Sequence, residues 1–405
     1  MCYIYSNIFE ANMATLLLII IYAAFVSLGL PDSLFGVAWP VIHLEFKLDQ
    51  SLAGVVTLII GAGTIWTSFI AGKAIRKFGT GWVTAVSVLF TVCGLFCISL
   101  SPNIWLMILS AIILGIGAGA IDTALNDYVA KHYKPQHMSW LHCFWGIGVT
   151  ASPLIMSKFL GDGNNWRGGY QTVALIQTVL LVVMFCSLPL WKKLEKTEHV
   201  SVDDATLEDE EKPNVKPIKI KGVWMAMLML GFYCSLEFTC GTWGASFLIN
   251  TKNIDAATAA KWVSFYYGGI MAGRGLTGFF AMKLSDKVLI RSGIIIAAVG
   301  AVMLIFPLGK EFTFIGLLLV GLGCAPIFPC TLHATASRFG AKYSADIVGY
   351  EMASAYCVGS LVQTSLGFIA SRTTFTILPF AFLAFALLQL LLTEALNAKL
   401  KNQTA

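Results

Sequence analysis

Five ionisable side chains stand out inside long apolar runs of this 405-residue sequence: Asp32, Asp122, Glu237, Arg274 and Glu351, with His142 as a titratable neighbour. In hydrocarbon such a group costs at least about 2.5 kcal/mol on insertion scales, so it is kept where it is paired, hydrated or used. Asp32 follows Pro31 in SLGLPDSLFG. The proline removes a backbone donor and the flanking glycines loosen the helix, which predicts a kink lining a cavity. Desolvation disfavours a charged carboxylate, so Asp32 is a candidate proton-coupling site; the alternative is a buried carboxylate bonded to backbone or to Ser33.

Asp122 and Asn126 are one helical turn apart in AIDTALND and share a face. Together they offer the acceptors and donors that bind vicinal hydroxyls, which makes Asp122 a candidate for both substrate and proton; a polar clamp between helices is the alternative. Glu237 lies in FYCSLEFTCGTWGASF among Tyr233, Thr239, Thr242 and Trp243. Acceptors beside aromatic faces suit a carbohydrate, and equally other polar organic solutes. Trp39, Trp145, Trp243 and Tyr267 are candidate stacking faces. Arg274, preceded by Tyr266 and Tyr267, can neutralise a carboxylate of a neighbouring helix. His142 in LHCFWGIG is a candidate relay or substrate contact, with an interhelical hydrogen bond as the alternative. Glu351 is expected to snorkel or to pair with a nearby Lys or Arg.

These residues need elements to hold them, and the composition says which. Hydrophobic residues make up 57% and charged residues only 12%, against roughly 25% charged in soluble proteins. A bilayer core about 30 Å thick needs roughly 20 apolar residues per helix, so the chain has room for about twelve spans. Apolar runs fall at about 14–43, 51–72, 82–100, 103–130, 137–160 and 169–191, then at 222–250, 258–282, 288–307, 312–336, 346–370 and 373–395. The expected fold is an all-α integral membrane protein of two pseudo-symmetric six-helix bundles, residues 1–191 and 222–405. Residues 192–221, dense in charge and poor in large apolar side chains, form the linker between them. Repetition supports the division: Gly115 and Gly117 recur as Gly321 and Gly323, and Gly72 as Gly278, at an offset of about 206 residues, with Asp32 meeting Glu237 at nearly the same offset. If both termini are cytoplasmic, about nineteen Lys and Arg fall on that side and about seven on the other, the bias that the positive-inside rule requires. No cleaved signal is expected at the N-terminus. The ten cysteines show neither a disulfide framework nor metal spacing, the 27 basic residues form no nucleic-acid motif, and no nucleophile elbow or phosphate loop is present. Enzyme chemistry, metals, cofactors and nucleic acid are thus not expected.

The chain resembles the major facilitator superfamily, and within it the fucose permease-like sugar:proton symporters. The acidic-Thr-Ala-x-Asn signature of their fourth span is matched by Asp122-Thr123-Ala124-Leu125-Asn126, their span-one carboxylate by Asp32, their span-five pattern by His142, Gly146 and Gly148, their span-eight Gly-Arg pair by Gly273 and Arg274, and the acidic or amide position of span seven by Glu237. The resemblance implies two six-helix halves and a midplane site. There are two departures. GKAIRKFG places Arg76 where the superfamily's loop between spans two and three carries Asp, and the exporters' Gly-Pro motif is poorly met by Ser152-Pro153 and Met156-Ser157. The expectation is a monomeric secondary transporter in the cell membrane, working by alternating access with proton-coupled uptake of a sugar or similar polar solute. A proton-coupled exporter and a non-transporting sensor on the same scaffold are the alternatives. Arg274, Arg76 and Glu351 are the expected structural or gating ion-pair residues.

Overall fold

A computed structural model describes residues 2–133, 135–199, 216–307 and 309–404. Most of the expected linker, residues 200–215, lies outside the described residues. Fourteen α-helices are present among those described. In the first half these are α1 (Cys2–Asp32), α2 (Leu34–Glu45), α3 (Leu52–Phe78), α4 (Thr80–Ser99), α5 (Ile104–His132), α6 (Pro135–Gly161) and α7 (Trp166–His199). In the second they are α8 (Val223–Lys252), α9 (Ala256–Phe280), α10 (Asp286–Ile305), α11 (Lys310–Cys324), α12 (Ile327–Phe339), α13 (Ala341–Arg372) and α14 (Ile377–Thr404). Position 192, the expected start of the linker, falls inside α7.

Each half contributes six spans, because α1 with α2 and α11 with α12 are single spans broken midway. The first break is the kink expected at Pro31. Lacking an N–H, Pro31 leaves the Ser27 carbonyl without its helical donor. Gln177 of α7 supplies one: its Nε2 donates to Ser27 O at 2.5 Å, and the Ser27 hydroxyl donates back to Gln177 Oε1. Just past the kink, Ser33 Oγ bonds Val149 O and Ser152 Oγ of α6, both at 2.8 Å. The second break corrects the continuous run expected over 312–336. Pro326 and Pro329 directly flank Ile327–Phe328 and remove two donors three residues apart, so α11 stops at Cys324 and α12 begins at Ile327. Eleven spans are long and apolar enough to cross a bilayer by length and composition. The twelfth, α9, has 25 residues and the required length, but Lys261 and Arg274 lower its hydropathy. It packs between α6 and α11.

The glycine repeat is a repeat of packing. A Cβ on Gly115 would meet Ile60 O at 2.4 Å, and one on Gly321 would meet Tyr266 O at 2.0 Å. Gly117 faces Ser87 O at 2.7 Å as Gly323 faces Gly293 O at 2.6 Å. Each partner is displaced by about the same 206 residues, so the α3–α5 and α4–α5 crossings of the first half recur as α9–α11 and α10–α11 of the second. Gly72 and Gly278 make no such close approach.

The apolar core divides in an informative way. At the end of the molecule that carries the chain termini, here the terminal end, there are two separate clusters. One joins Leu17, Val88, Leu125, Leu141 and Trp191 of the first half, and the other joins Val223, Phe339, Ile347 and Leu396 of the second. Toward the opposite, distal end a single cluster runs through both halves, from Trp39 and Trp166 to Trp243 and Phe382, and in the second half it continues to Leu289 and Ile290 near the start of α10.

Candidate functional site

The halves meet along a seam whose contacts are concentrated at the distal end. Gly36 of α2 lies against the backbone of Gly241 and Thr242 of α8, where a Cβ would approach Gly241 O to 2.4 Å. Ser157 Oγ of α6 donates to Ala257 O of α9 at 2.6 Å, and Ser264 Oγ of α9 donates to Thr150 O of α6 at 2.6 Å. On the other flank Thr364 Oγ1 of α13 donates to Gly54 O of α3 at 3.1 Å, and Gln363 Nε2 donates to Thr57 Oγ1 at 3.2 Å. Nearer mid-membrane, Gly146 of α6 packs on Met271 of α9.

At that mid-membrane level several of the expected site residues form a row across the seam. Asp32, at the kink of the first span, is exposed despite its depth. Its Oδ2 accepts from the indole N–H of Trp145 at 2.8 Å. The face of Trp145 carries the Arg274 guanidinium 4.9 Å from the ring centroid. Arg274 in turn lies 3.7 Å from Glu237 Oε1 and, through Nη2, 3.5 Å from the hydroxyl of Tyr233. Both ion-pair partners are about nine-tenths buried, yet Arg274 Nε has no hydrogen-bond partner. The pair is therefore long and incompletely satisfied, so the guanidinium has donor capacity left for a solute or a shifted carboxylate.

Asp122 and Asn126 meet as their spacing predicts. Asn126 Nδ2 donates to both Asp122 Oδ1 and Asp122 O at 2.9 Å, and both residues keep partial exposure. Asp122, Asp32 and Glu237 all lie within electrostatic reach of Tyr356 of α13. His142, one turn before Trp145 on α6, holds its ring edge-on to Phe25 and, across the seam, to Phe328 at 6.4 Å.

Other expected residues are placed elsewhere. Trp39 is fully buried against Phe35 and His43, with its indole N–H on Gln50 O at 2.8 Å. Trp243 is also fully buried, with its N–H on Gln363 O at 2.9 Å and Gly367 beneath its ring. The surroundings of both rings are taken up by protein. Tyr267 is buried, its hydroxyl over Gly241. Glu351 accepts from Thr335 Oγ1 at 2.8 Å beside Arg338, inside the second half and away from the row. Arg76 is exposed in the last turn of α3. Tyr356 and Gln363 were not singled out from the sequence, and Tyr233 was named there only as a neighbour of Glu237. Tyr233 and Gln363 stand beside chosen residues in space, and only Tyr233, one turn before Glu237, carried a helical-spacing signal.

Two pseudo-symmetric bundles with polar groups at mid-membrane along their seam form the architecture of a multi-span membrane transporter. A family model described as Major Facilitator Superfamily matches residues 21–364, and the chain belongs to that superfamily. It is 25% identical to the glucose/mannose transporter GlcP of Bacillus subtilis (strain 168), over 87% of this chain and 88% of that protein. It is 22% identical to a cis,cis-muconate transport protein of Acinetobacter baylyi, over 82% and 81% of the two chains. Among solved structures, a D-xylose-proton symporter matches with TM-score 0.72 at 11% identity, covering 94% of both chains. The Escherichia coli fucose:proton symporter matches with TM-score 0.59 at 13% identity, covering 93% of this chain and 98% of that one.

Proposed function

We propose that this protein is a secondary active transporter that takes up a sugar or similar small polar solute together with a proton, by alternating access, with both termini in the cytoplasm. The observation that carries the reading is the row Asp32, Trp145, Arg274, Glu237, which crosses the seam at the depth where the shared distal core gives way to two separate terminal cores. In this reading the structure is the state open toward the cytoplasm. An ionised Asp32 would lose its hydration if the terminal end closed over it, so the carrier resists reorientation until a proton neutralises the carboxylate. Asp122 and Asn126 supply paired acceptor and donor atoms for hydroxyls, Arg274 and Glu237 supply charge-assisted hydrogen bonds, and Trp145 lends an aromatic face. The relative named for glucose and mannose agrees with this substrate class.

A second reading of the substrate rests on the unpartnered Nε of the buried Arg274, which suits a carboxylate; the relative named for cis,cis-muconate agrees with that. The test is uptake by the purified protein in liposomes under an inward proton gradient, with radiolabelled D-glucose and cis,cis-muconate as probes. Accumulation of glucose that a protonophore abolishes is the expected result. Accumulation of muconate alone moves the substrate to organic acids. Glucose binding without flux through either gradient direction would leave a sensor, and outward pumping would leave an exporter.

A further inference from the structure

We propose that Trp145 is a positioning residue through which the charge on Asp32 acts on Arg274 in the opposite half, so that it couples proton binding to the seam. The inference deepens the transporter reading and rests on it. The Trp145 side chain contacts both Asp32 and Arg274: its N–H edge is on Asp32 Oδ2 at 2.8 Å and its face is under the guanidinium at 4.9 Å.

Its backbone is fixed from both sides by close helix approaches. Trp145 O lies where a Cβ on Gly29 of α1 would be, at 2.3 Å, and Gly148 meets Val26 O of α1 at 2.3 Å in the same way. On the other side Gly146 meets Met271 Cβ of α9 at 2.8 Å. With the helix pinned on both faces, the indole has little room to follow one partner without changing its distance to the other.

The direction of coupling follows from the hydrogen bond. A carboxylate is a stronger acceptor than a carboxylic acid, so ionised Asp32 holds the indole N–H and keeps the ring under Arg274. A proton on Asp32 weakens that hold. The ring is then free to turn, and Arg274 loses an aromatic face and falls back on Glu237 and Tyr233 within its own half. The other charged and titratable groups that bear on Asp32 are Asp122 from α5, Glu237 from α8 and, more weakly, Tyr267 from α9 and Tyr356 from α13; His142 of α6 faces Arg274. The carboxylates among them would modulate the proton's affinity, and Trp145 hydrogen-bonds one end of the link and stacks on the other.

The test uses the full-length protein labelled with 5-fluorotryptophan and followed by fluorine NMR, which needs no transported solute. The Trp145 line is assigned by its absence from W145F. It is expected to move with pH in one step, to lose that step in D32N, and to be displaced with the step retained in R274Q. In liposomes W145F, which keeps a ring and loses the donor, is expected to lower proton-driven accumulation of labelled D-glucose at least about tenfold. A step that survives in D32N, or W145F that accumulates glucose as the parent does, overturns the proposal. A parent protein that shows the step lost in D32N but accumulates no glucose supports the link and removes the sugar reading instead.

Discussion

The two ends of the molecule are built differently. At the terminal end each half closes its own core, one around Tyr128 and Trp191 and the other around Phe339 and Leu396; at the distal end one core runs through both halves. Besides that shared apolar core, the distal seam carries a glycine contact and hydrogen bonds from Ser, Thr and Gln, each hydrogen bond worth about 1 kcal/mol net. The crossings inside each half are glycine-to-backbone approaches of the same kind, repeated at Gly115, Gly117, Gly321 and Gly323. Each half thus closes its own core at the terminal end, and in the proposed transport cycle the distal joint is the part that must open.

Two glycine substitutions separate these roles, and they carry the largest expected effect. A side chain on Gly36 collides with Gly241 O and Thr242 of the other half, whereas one on Gly148 collides with Val26 O and Leu30 N of its own half. G36V is expected to hold the distal seam apart and to lower uptake about a hundredfold, with the melting temperature within a few degrees of the parent. G148V is expected to lower the melting temperature itself, since backbone must move within the first half. Uptake by G36V at the parental rate would mean that the distal seam does not need to close.

The next effect concerns the row at the depth where the two ends meet. D32N removes the charge while keeping the size of the side chain. It is expected to abolish accumulation driven by a proton gradient, while exchange of preloaded solute persists at a reduced rate. Gradient-driven accumulation by D32N would place coupling elsewhere, with Asp122 the first alternative.

How far the sequence foretold this picture depends on the kind of information each feature needs. The spans were legible because apolar length is a local property, and the kink at Pro31 because proline acts on its own helix. The break at Pro326 and Pro329 was readable by the same rule and was passed over inside a hydrophobic run. α9 reads poorly on hydropathy because it carries Arg274, whose cost is met by Glu237 and Trp145 from other helices. Trp39, Trp145 and Trp243 look alike in the sequence, each beside small residues in an apolar stretch. Only the rotation of each helix decides that Trp145 faces the seam while the other two are enclosed. The role of Gln177 was hidden for a similar reason: its partner, the freed Ser27 carbonyl, is 150 residues away.

Within the row, the buried ion pair sharpens the contrast between separate terminal cores and a movable seam. E237Q would leave Arg274 as an uncompensated charge about nine-tenths buried in the second half, at a cost of about 3 kcal/mol, the low end for broken buried pairs because the 3.7 Å contact is loose and Tyr233 remains. The melting temperature is expected to fall, and the double variant E237Q/R274Q to recover part of the loss, as a coupled pair requires. Additive losses would mean that the pair is not coupled, and that the two residues serve the solute rather than the fold.

The smallest effect lies at the rim of the distal joint. Asp49, in the loop between α2 and α3, accepts from Ser51 N at 2.8 Å and is attracted by Arg372 at the end of α13 in the other half. The Ser51 hydrogen bonds, and to a lesser degree Arg372, hold its carboxyl below the ordinary carboxylate value. For a carboxylate depressed in the folded state, the stabilisation is present above the unfolded value of about 3.9 and is lost as pH falls through the lower folded value. The S51A variant keeps the backbone donor and removes the hydroxyl, so its acid-unfolding limb is expected to move slightly toward neutral pH and its stability near pH 7 to fall slightly. Asp49 is exposed, so the Arg372 contribution is expected to fade as salt is raised to about 0.15 M, while the Ser51 contribution remains. An acid limb that ignores salt would show that the attraction to Arg372 adds nothing to the distal joint, which would then rest on the shared apolar core, the glycine contact and the Ser, Thr and Gln hydrogen bonds.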